Sequence, residues 1–433
     1  MDKLLLRKAA TQSVALMLIV IVLSLYIKQY NEVVISASNT DEDTIVEDIK
    51  EIIDEKAVLP QVDVLGETDD NGNIDIADIS FFEEPIIVFM EAQSHVNNDI
   101  LEQMGEQYLV IRKPEGEGLQ VELEDIYSAQ KLKIALSGLM MNELDSNYIG
   151  RVQGEEVFMG EPSYIESQNT ETKSDGTLET IIIKDYGNDP VHGISITSQS
   201  DDRGYNVCEI ELQLNHVYVH ILYEDDNYYY IDLKRPKEVY DKIIVIDAGH
   251  GGKDPGAISG DELTYEKSIN LKILLALKER LDKDNIKVYY TRLKDDTLYL
   301  RPRVTLANDV ESDFFISIHS NSSVSNKPNG MEILYCNHVN NNIASKDLAN
   351  IFSKEIGKVI SLKNNGIIKM KDDDIYILYK PTVPTILIET GYMSNYKDLD
   401  YLRSEDSVRE FAEGIYNGIR KSYEEFLPYK IWN

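Results

Sequence analysis

The chain is poor in cysteine and short of positive charge, and each shortage narrows its class. Cys208 and Cys336 are the only two cysteines, and neither belongs to a paired Cys motif. Neither a disulfide framework nor a Cys-rich zinc site is implied. Lys and Arg number 43 against 76 Asp and Glu, a net charge of -33. So acidic a chain repels a nucleic-acid backbone, which excludes nucleic acid as a partner, and it keeps its body off anionic lipid. Membrane attachment therefore needs a dedicated segment. No HExxH is present, GHGGKDPG lacks the GxxxxGK[ST] spacing of a phosphate loop, and no repeat recurs at a fixed period. What remains, 433 residues with 42% hydrophobic content, suffices for two folded parts with additions.

Long apolar runs are scarce as well, with one exception at the N-terminus. Lys3, Arg7 and Lys8 precede an apolar run that, counted from Ala9 to Ile27, reaches roughly 19 residues, enough for a helical span. Basic residues stay cytoplasmic, so everything after Lys28 is expected outside the cytoplasm. A cleaved signal peptide is the rival reading, but its best small-x-small site, Ser36-Ala37-Ser38, lies well beyond the apolar run. The expected organisation is a membrane anchor or signal segment at 1–30, an acidic stalk at 31–75 with a short helix near 44–55, an accessory α+β or β-rich domain at 76–236, and a catalytic domain at 237–433.

Within the accessory domain, PIIVFM (85–90) is an apolar run, ETIIIKD (179–185) reads as a strand and 126–144 reads as a helix. Cys208, Ile210, Leu212 and Leu214 alternate with polar residues, and Val217, Val219, Ile221 and Tyr223 resume in the opposite phase. That shift predicts two strands with a bend at Asn215, followed by a hairpin-like return through YYYIDLK. His216 and His220 have a helical metal spacing, yet in a strand they stand roughly 13 Å apart. A solvent-facing role is expected for both.

From Lys242 the rhythm becomes strand, loop, helix. KIIVID, KVYYTR, DFFISIH, GMEILY and TILIE are buried-type strands, and helices are predicted over 265–281, 300–309, 345–360 and 406–426. The alternation predicts an α/β fold, a mainly parallel sheet with helices on both faces. Catalysts in such sheets collect beyond the carboxyl ends of the strands. His250 follows KIIVIDAG, His319 ends DFFISI, Glu389 ends TILI, and Glu266 opens the helix after the Gly-rich loop. Two imidazoles and a carboxylate suit Zn2+ with a fourth position left for water. The residues alone thus point to a hydrolytic metal site and leave its substrate open.

The ordered blocks IDAGHGGKDPGA, TYEKSINL, YYTRLKDD, LRPRVTLAND, FFISIHSNSS and PTILIETGYMSN resemble the zinc N-acetylmuramoyl-L-alanine amidases of bacterial cell walls over about 242–426. The resemblance implies metal ligands at His250, Glu266 and His319, a catalytic Glu389, and hydrolysis of the amide between N-acetylmuramic acid and L-alanine in peptidoglycan. It leaves as alternatives a zinc peptidase of similar fold acting on stem or other peptides, and a non-catalytic wall-binding protein. Some division-linked members carry a long insertion with a helix that plugs the site. Here only Asn337 to Ala344 occupies that place, so the chain resembles the shorter, uninhibited members. The preceding domain bears a faint resemblance to β-rich wall-targeting domains. Among flanking residues, Asp247 and Asn321 are candidates to orient the imidazoles or to cap strand ends. Arg303 and Asn308 are expected to form an ion pair or cap, and Lys253 and His338 to be exposed.

Overall fold

The computed structural model describes residues 100–426, apart from 101–102, 115, 140–143, 155, 173–177, 201–205, 341–342 and 372. The expected anchor, stalk and 44–55 helix and the apolar run at 85–90 lie outside the described residues. Among the described residues no helix is long and apolar enough to cross a membrane.

The upstream strands run, in chain order, β1 (Gln107–Arg112), β2 (Gly116–Ile126), β3 (Lys131–Leu139), β4 (Ile149–Gln153), β5 (Glu156–Phe158), β6 (Ile165–Thr172), β7 (Leu178–Asp185), β8 (Val191–Ser200), β9 (Asn206–Leu214), β10 (Val219–Glu224) and β11 (Tyr228–Lys234). They form a five-stranded sheet ordered β10-β11-β1-β4-β5, a four-stranded sheet ordered β2-β3-β9-β8, and the hairpin β6-β7. The predicted helix over 126–144 is not formed. One 3-10 turn at Tyr127–Ala129 leads instead into β3, where Leu132, Ile134 and Leu136 are buried and the residues between them are not. Ala, Leu and Met favour a helix only weakly, and pairing with β2 and β9 on either side decides the outcome. The predicted phase change is real. β9 buries Cys208, Ile210, Leu212 and Leu214 in one sheet, the chain bends at Asn215 and His216, and β10 enters the other sheet.

The described residues divide into two compact units that alternate along the chain. One takes the chain up to Pro114 with Leu144–Pro190 and Leu222–Asp232, and the other takes Glu115–Glu143, Val191–Ile221 and Leu233–Asn433. The four-stranded sheet thus groups with the C-terminal region.

That region is the predicted α/β fold. Its elements are β12 (Ile243–Ala248), α1 (Glu266–Leu281), β13 (Lys287–Tyr290), α2 (Leu300–Asp309), β14 (Phe314–Asn321), β15 (Met331–Tyr335), the short pair β16 (Val339–Asn340) and β17 (Ile343–Ala344), α3 (Ser345–Gly357), β18 (Asn364–Lys369), α4 (Tyr376–Tyr379), β19 (Thr385–Tyr392), α5 (Tyr396–Leu402) and α6 (Glu405–Phe426). The sheet order is β13-β12-β14-β19-β15-β18. β13, β12, β14 and β19 are parallel, while β15 runs antiparallel to β19 and parallel to β18. The short pair β16-β17, β18, α4 and α5 are elements beyond those expected. One face of the sheet buries Ile246, Ile316 and Ile388 against Ile273 and Leu277 of α1, Phe352 of α3 and Ile415 of α6. The other buries Val245, Phe315 and Leu387 against Val304 of α2 and Leu378 of α4. Each such side chain stabilises by about 1.5–3 kcal/mol, and burial on both faces is why these strands read as unbroken apolar runs.

Asp309, at the end of α2, gathers several segments of the same unit. Its carboxylate accepts the Val217 N–H, faces His216 Nδ1 at 2.6 Å and Gln130 Nε2 at 3.3 Å, and pairs with Arg235. Burial opposes its charge, but His216, the Val217 N–H and Arg235 outweigh burial and hold the carboxyl below its ordinary value. A depressed carboxyl contributes stability above its unfolded pKa of about 4 and loses it as pH falls through the folded value. Asp309→Asn is therefore expected to lower stability at pH 7 by about 1–3 kcal/mol. It should also flatten the acid limb of the unfolding profile. Chemical denaturation across pH 3 to 7 measures both, and an unchanged acid limb would contradict the assignment.

Candidate metal centre

The centre is assembled by the loop after β12. His250 follows that strand by two residues and adopts φ +64°, a left-handed conformation that costs a non-glycine residue about 1–3 kcal/mol. The cost is met by anchoring. Arg303 Nη2 donates to the His250 carbonyl at 2.8 Å, and Gly251 and Asp254 exchange backbone hydrogen bonds at 2.9 and 3.1 Å. Arg292 Nε donates to the Ala248 carbonyl and its Nη2 to the Gly249 carbonyl, so two guanidinium groups fix the loop. Two glycines make room for the side chains. A Cβ at Gly249 would lie 2.2 Å from the His319 ring, and one at Gly256 would lie 2.6 Å from Glu266 Oε2 and 2.7 Å from the His250 ring.

Glu266 is the first residue of α1 and is 5% exposed. Its Oε2 accepts the Ala257 N–H at 2.9 Å, and its Oε1 accepts the Ser320 N–H at 3.0 Å. The same Oε1 lies 3.2 Å from His250 Nε2 and 2.9 Å from His319 Nδ1. The ligand atoms of His250, Glu266 and His319 all fall within 4.8 Å of one another. Tetrahedral zinc with bonds of ~2.0–2.1 Å sets its donors roughly 3.3 Å apart, so the chemistry and spacing of this donor set fit the ion. The other nitrogen of His250, Nδ1, faces Asp254 Oδ2 at 2.8 Å. A carboxylate there sets the tautomer and ring orientation of a ligating imidazole. Burial would push the Glu266 carboxyl up, but hydrogen bonds to His250 and His319 hold it well below the usual range. Burial would lower His250, and Glu266 with Asp254 instead pushes it up to about 9. A metal would thus compete with a proton at His250.

Glu389 stands on β19 in register with His319 on β14. Its Oε2 is buried and has no hydrogen-bond partner among the described residues. Burial pushes its carboxyl up to about 7, with His319 and His250 pulling down and Glu266 and Glu332 pushing further up.

The three predicted ligands thus come together, and Glu389 is their neighbour across the sheet. Other expectations shift. Asp247 is buried and accepts from Arg303, Thr291 and Ser317 rather than from an imidazole. Asn321 donates to Glu332. The residue that orients His250 is Asp254, four positions on in GHGGKDPG, a spacing visible in the sequence once His250 is taken as a ligand. Arg303 forms the expected ion pair, with Asp247, and Asn308 accepts from Thr382. Lys253 is exposed as expected, but His338 is half-buried with Nε2 at 2.7 Å from the Leu378 carbonyl. His220 also differs from expectation, because it is partly buried and paired with Asp125 at 3.0 Å. The short connection before α3 holds the β16-β17 pair.

The chain is similar in sequence to known amidases. The sequence model of the N-acetylmuramoyl-L-alanine amidase family matches residues 244–421. The chain is 30% identical to a germination-specific N-acetylmuramoyl-L-alanine amidase of Bacillus subtilis, over 42% of this chain and 81% of that protein. It is 33% identical to a probable cell wall amidase, LytH, of Staphylococcus saprophyticus, over 44% of this chain and 61% of that protein, so it spans less than two thirds of this relative. Among solved structures, the catalytic domain of CwlV, an N-acetylmuramoyl-L-alanine amidase from Bacillus (Paenibacillus) polymyxa, is 35% identical, with 42% of this chain and 98% of that one covered and a TM-score of 0.39.

Zinc content measured by atomic absorption is expected to fall below half of the wild-type value on changing His250, Glu266 or His319 to Ala. Gly249→Ala, which drives the His319 ring away, should act in the same direction without touching a ligand. Full zinc content in any of the three ligand variants would remove that residue from the site.

Proposed function

The chain belongs to the N-acetylmuramoyl-L-alanine amidase family, and on that premise we propose that it hydrolyses the amide between N-acetylmuramic acid and L-alanine in peptidoglycan with Zn2+ held by His250, Glu266 and His319. The observation that carries the reading is the meeting of three ligand atoms within 4.8 Å beside a buried carboxyl whose Oε2 has no partner among the described residues. When bound, zinc polarises the scissile carbonyl and acidifies water. The chain's own residues do the rest. Asp254 holds the His250 ring, and Ser320 N–H and Ala257 N–H hold the two oxygens of Glu266. Glu389 accepts the proton of the attacking water and delivers it to the departing L-Ala nitrogen. An amine is a poor leaving group until protonated, and a carboxyl titrating near neutrality can serve in both directions.

Residues 237–433 act as the catalytic part and 76–236 as the accessory part, with the four-stranded sheet of the latter belonging to the same compact unit as the catalytic residues. The apolar run within 1–30 supports an N-terminal membrane anchor that places the enzyme outside the cytoplasm, with peptidoglycan as its partner. The kinship of 244–421 with cell-wall amidases supports that location.

Digestion of purified peptidoglycan is expected to release stem peptides with a free L-Ala amine, read by mass spectrometry. Glu389→Gln should keep its zinc and lose roughly 100-fold or more in turnover. Near-normal turnover would remove Glu389 from the chemistry, and loss of zinc would make it a ligand instead. The acid limb of the kcat/KM profile follows the same group. A raised carboxyl pKa means the basic form is lost as pH falls through about 7, and a bound cation moves that limb lower. Activity should therefore decline on acidification from neutral pH, and a flat profile down to pH 4 would contradict the role.

A further inference from the structure

Next to Glu389 the sheet carries an acid that this chemistry does not use. Glu332 on β15 is 8% exposed and stands in antiparallel register opposite Glu389. Like charges directly opposite each other weaken a strand pair, so the placement calls for a compensating role. Glu332 Oε1 accepts two hydrogen bonds, from the Tyr392 hydroxyl at 2.7 Å and from Asn321 Nδ2 at 2.9 Å. β14 and β19 are in register at His319 and Glu389 and then, with one extra residue in β19, at Asn321 and Tyr392. A bulge beside a site re-aims a side chain, and this one brings the Tyr392 hydroxyl to Glu332.

The two donors keep capacity to spare. The Tyr392 hydroxyl has one proton, spent on Glu332, and its lone pairs remain to accept an N–H. The Asn321 amide has two protons, one spent on Glu332 and one left to donate, while its Oδ1 already accepts the Ser322 N–H at 2.7 Å. One free acceptor beside one free donor complements the N–H and C=O of a peptide unit. Both residues are half-buried, so each keeps a face open.

The sheet order supplies the direction. The metal donors come from the end of β12, from β14 and from the start of α1, Glu389 follows on β19, and Glu332 lies beyond it on β15. The scissile carbonyl belongs on the metal side and the nitrogen on the Glu389 side, so the chain attached to that nitrogen continues toward β15. We propose that Tyr392 and Asn321, held in place by Glu332 as a positioning residue, form the subsite for the peptide attached to the scissile nitrogen. This subsite rests on the amidase reading above.

The test uses the full chain with zinc and two soluble substrates, a muramyl peptide with its whole stem and N-acetylmuramoyl-L-alanine alone. Wild type should prefer the whole stem. Tyr392→Phe should raise KM for the whole-stem substrate roughly tenfold, more than it lowers kcat, with KM for the truncated substrate and the zinc content unchanged. Glu332→Gln should act in the same direction, and the double variant should be little worse than either single one, because the two changes break one arrangement. Unchanged KM in Tyr392→Phe, an equal loss on both substrates, or additive effects in the double variant overturns the subsite while leaving the amidase reading intact. Failure of wild type to release an L-Ala amine from either substrate overturns both. Should Glu332→Gln not fold, Tyr392→Phe alone decides.

Discussion

The ion pair between Arg303 and Asp247 is the constraint on which the site depends. Both residues are buried, at 2% and 0% exposure, and the guanidinium spends its other donors on the carbonyls of Ala248, His250 and Leu298. One side chain from α2 thus grips the end of β12 and the residue that would hold the metal. Asp247 is gripped in turn by Thr291 after β13 and Ser317 on β14. Three strands and a helix meet at one carboxylate. A buried ion pair is weak evidence of stability by itself, because desolvation offsets the attraction, and removing one partner leaves an uncompensated charge. Its value here is geometric, since it holds His250 in a conformation the residue would not choose alone.

The site as a whole concentrates unfavourable local choices. His250 sits at positive φ, Glu266 is an acid in the interior, and Glu389 faces Glu332 across a strand pair. Each is tolerable because something specific answers it: backbone anchors for His250, two N–H groups and two imidazoles for Glu266, and Tyr392 with Asn321 for Glu332. Among these acids only Glu389 has an oxygen that is both fully buried and without a hydrogen-bond partner among the described residues. Strain and unmet polarity gather where function is placed, since a site must keep some group unsatisfied until substrate arrives.

Much of this was legible in the chain itself. KIIVID, DFFISIH and TILIE are apolar without interruption because both faces of their sheet are covered, so they announce an α/β core by composition. The His250, Glu266 and His319 cluster could be named from residue type and position, because strand ends in such sheets are where chemistry collects. The 126–144 segment was not legible. Its helix-forming residues carry a period-two burial that only pairing with β2 and β9 makes favourable, and propensity is too weak to resist such pairing.

The sequence by itself determined the chemistry available, meaning which donors exist, in what order, and on which strand ends. Only the tertiary structure decided who touches whom among them. Asp254 rather than Asp247 orients His250, and Glu332 binds Tyr392 sixty positions away through a bulge that no residue pattern announces. The reason is physical. Hydrophobic periodicity records one residue's distance from water, whereas a hydrogen bond requires two groups to meet within about 3 Å, and that depends on register and strand order set by the whole fold.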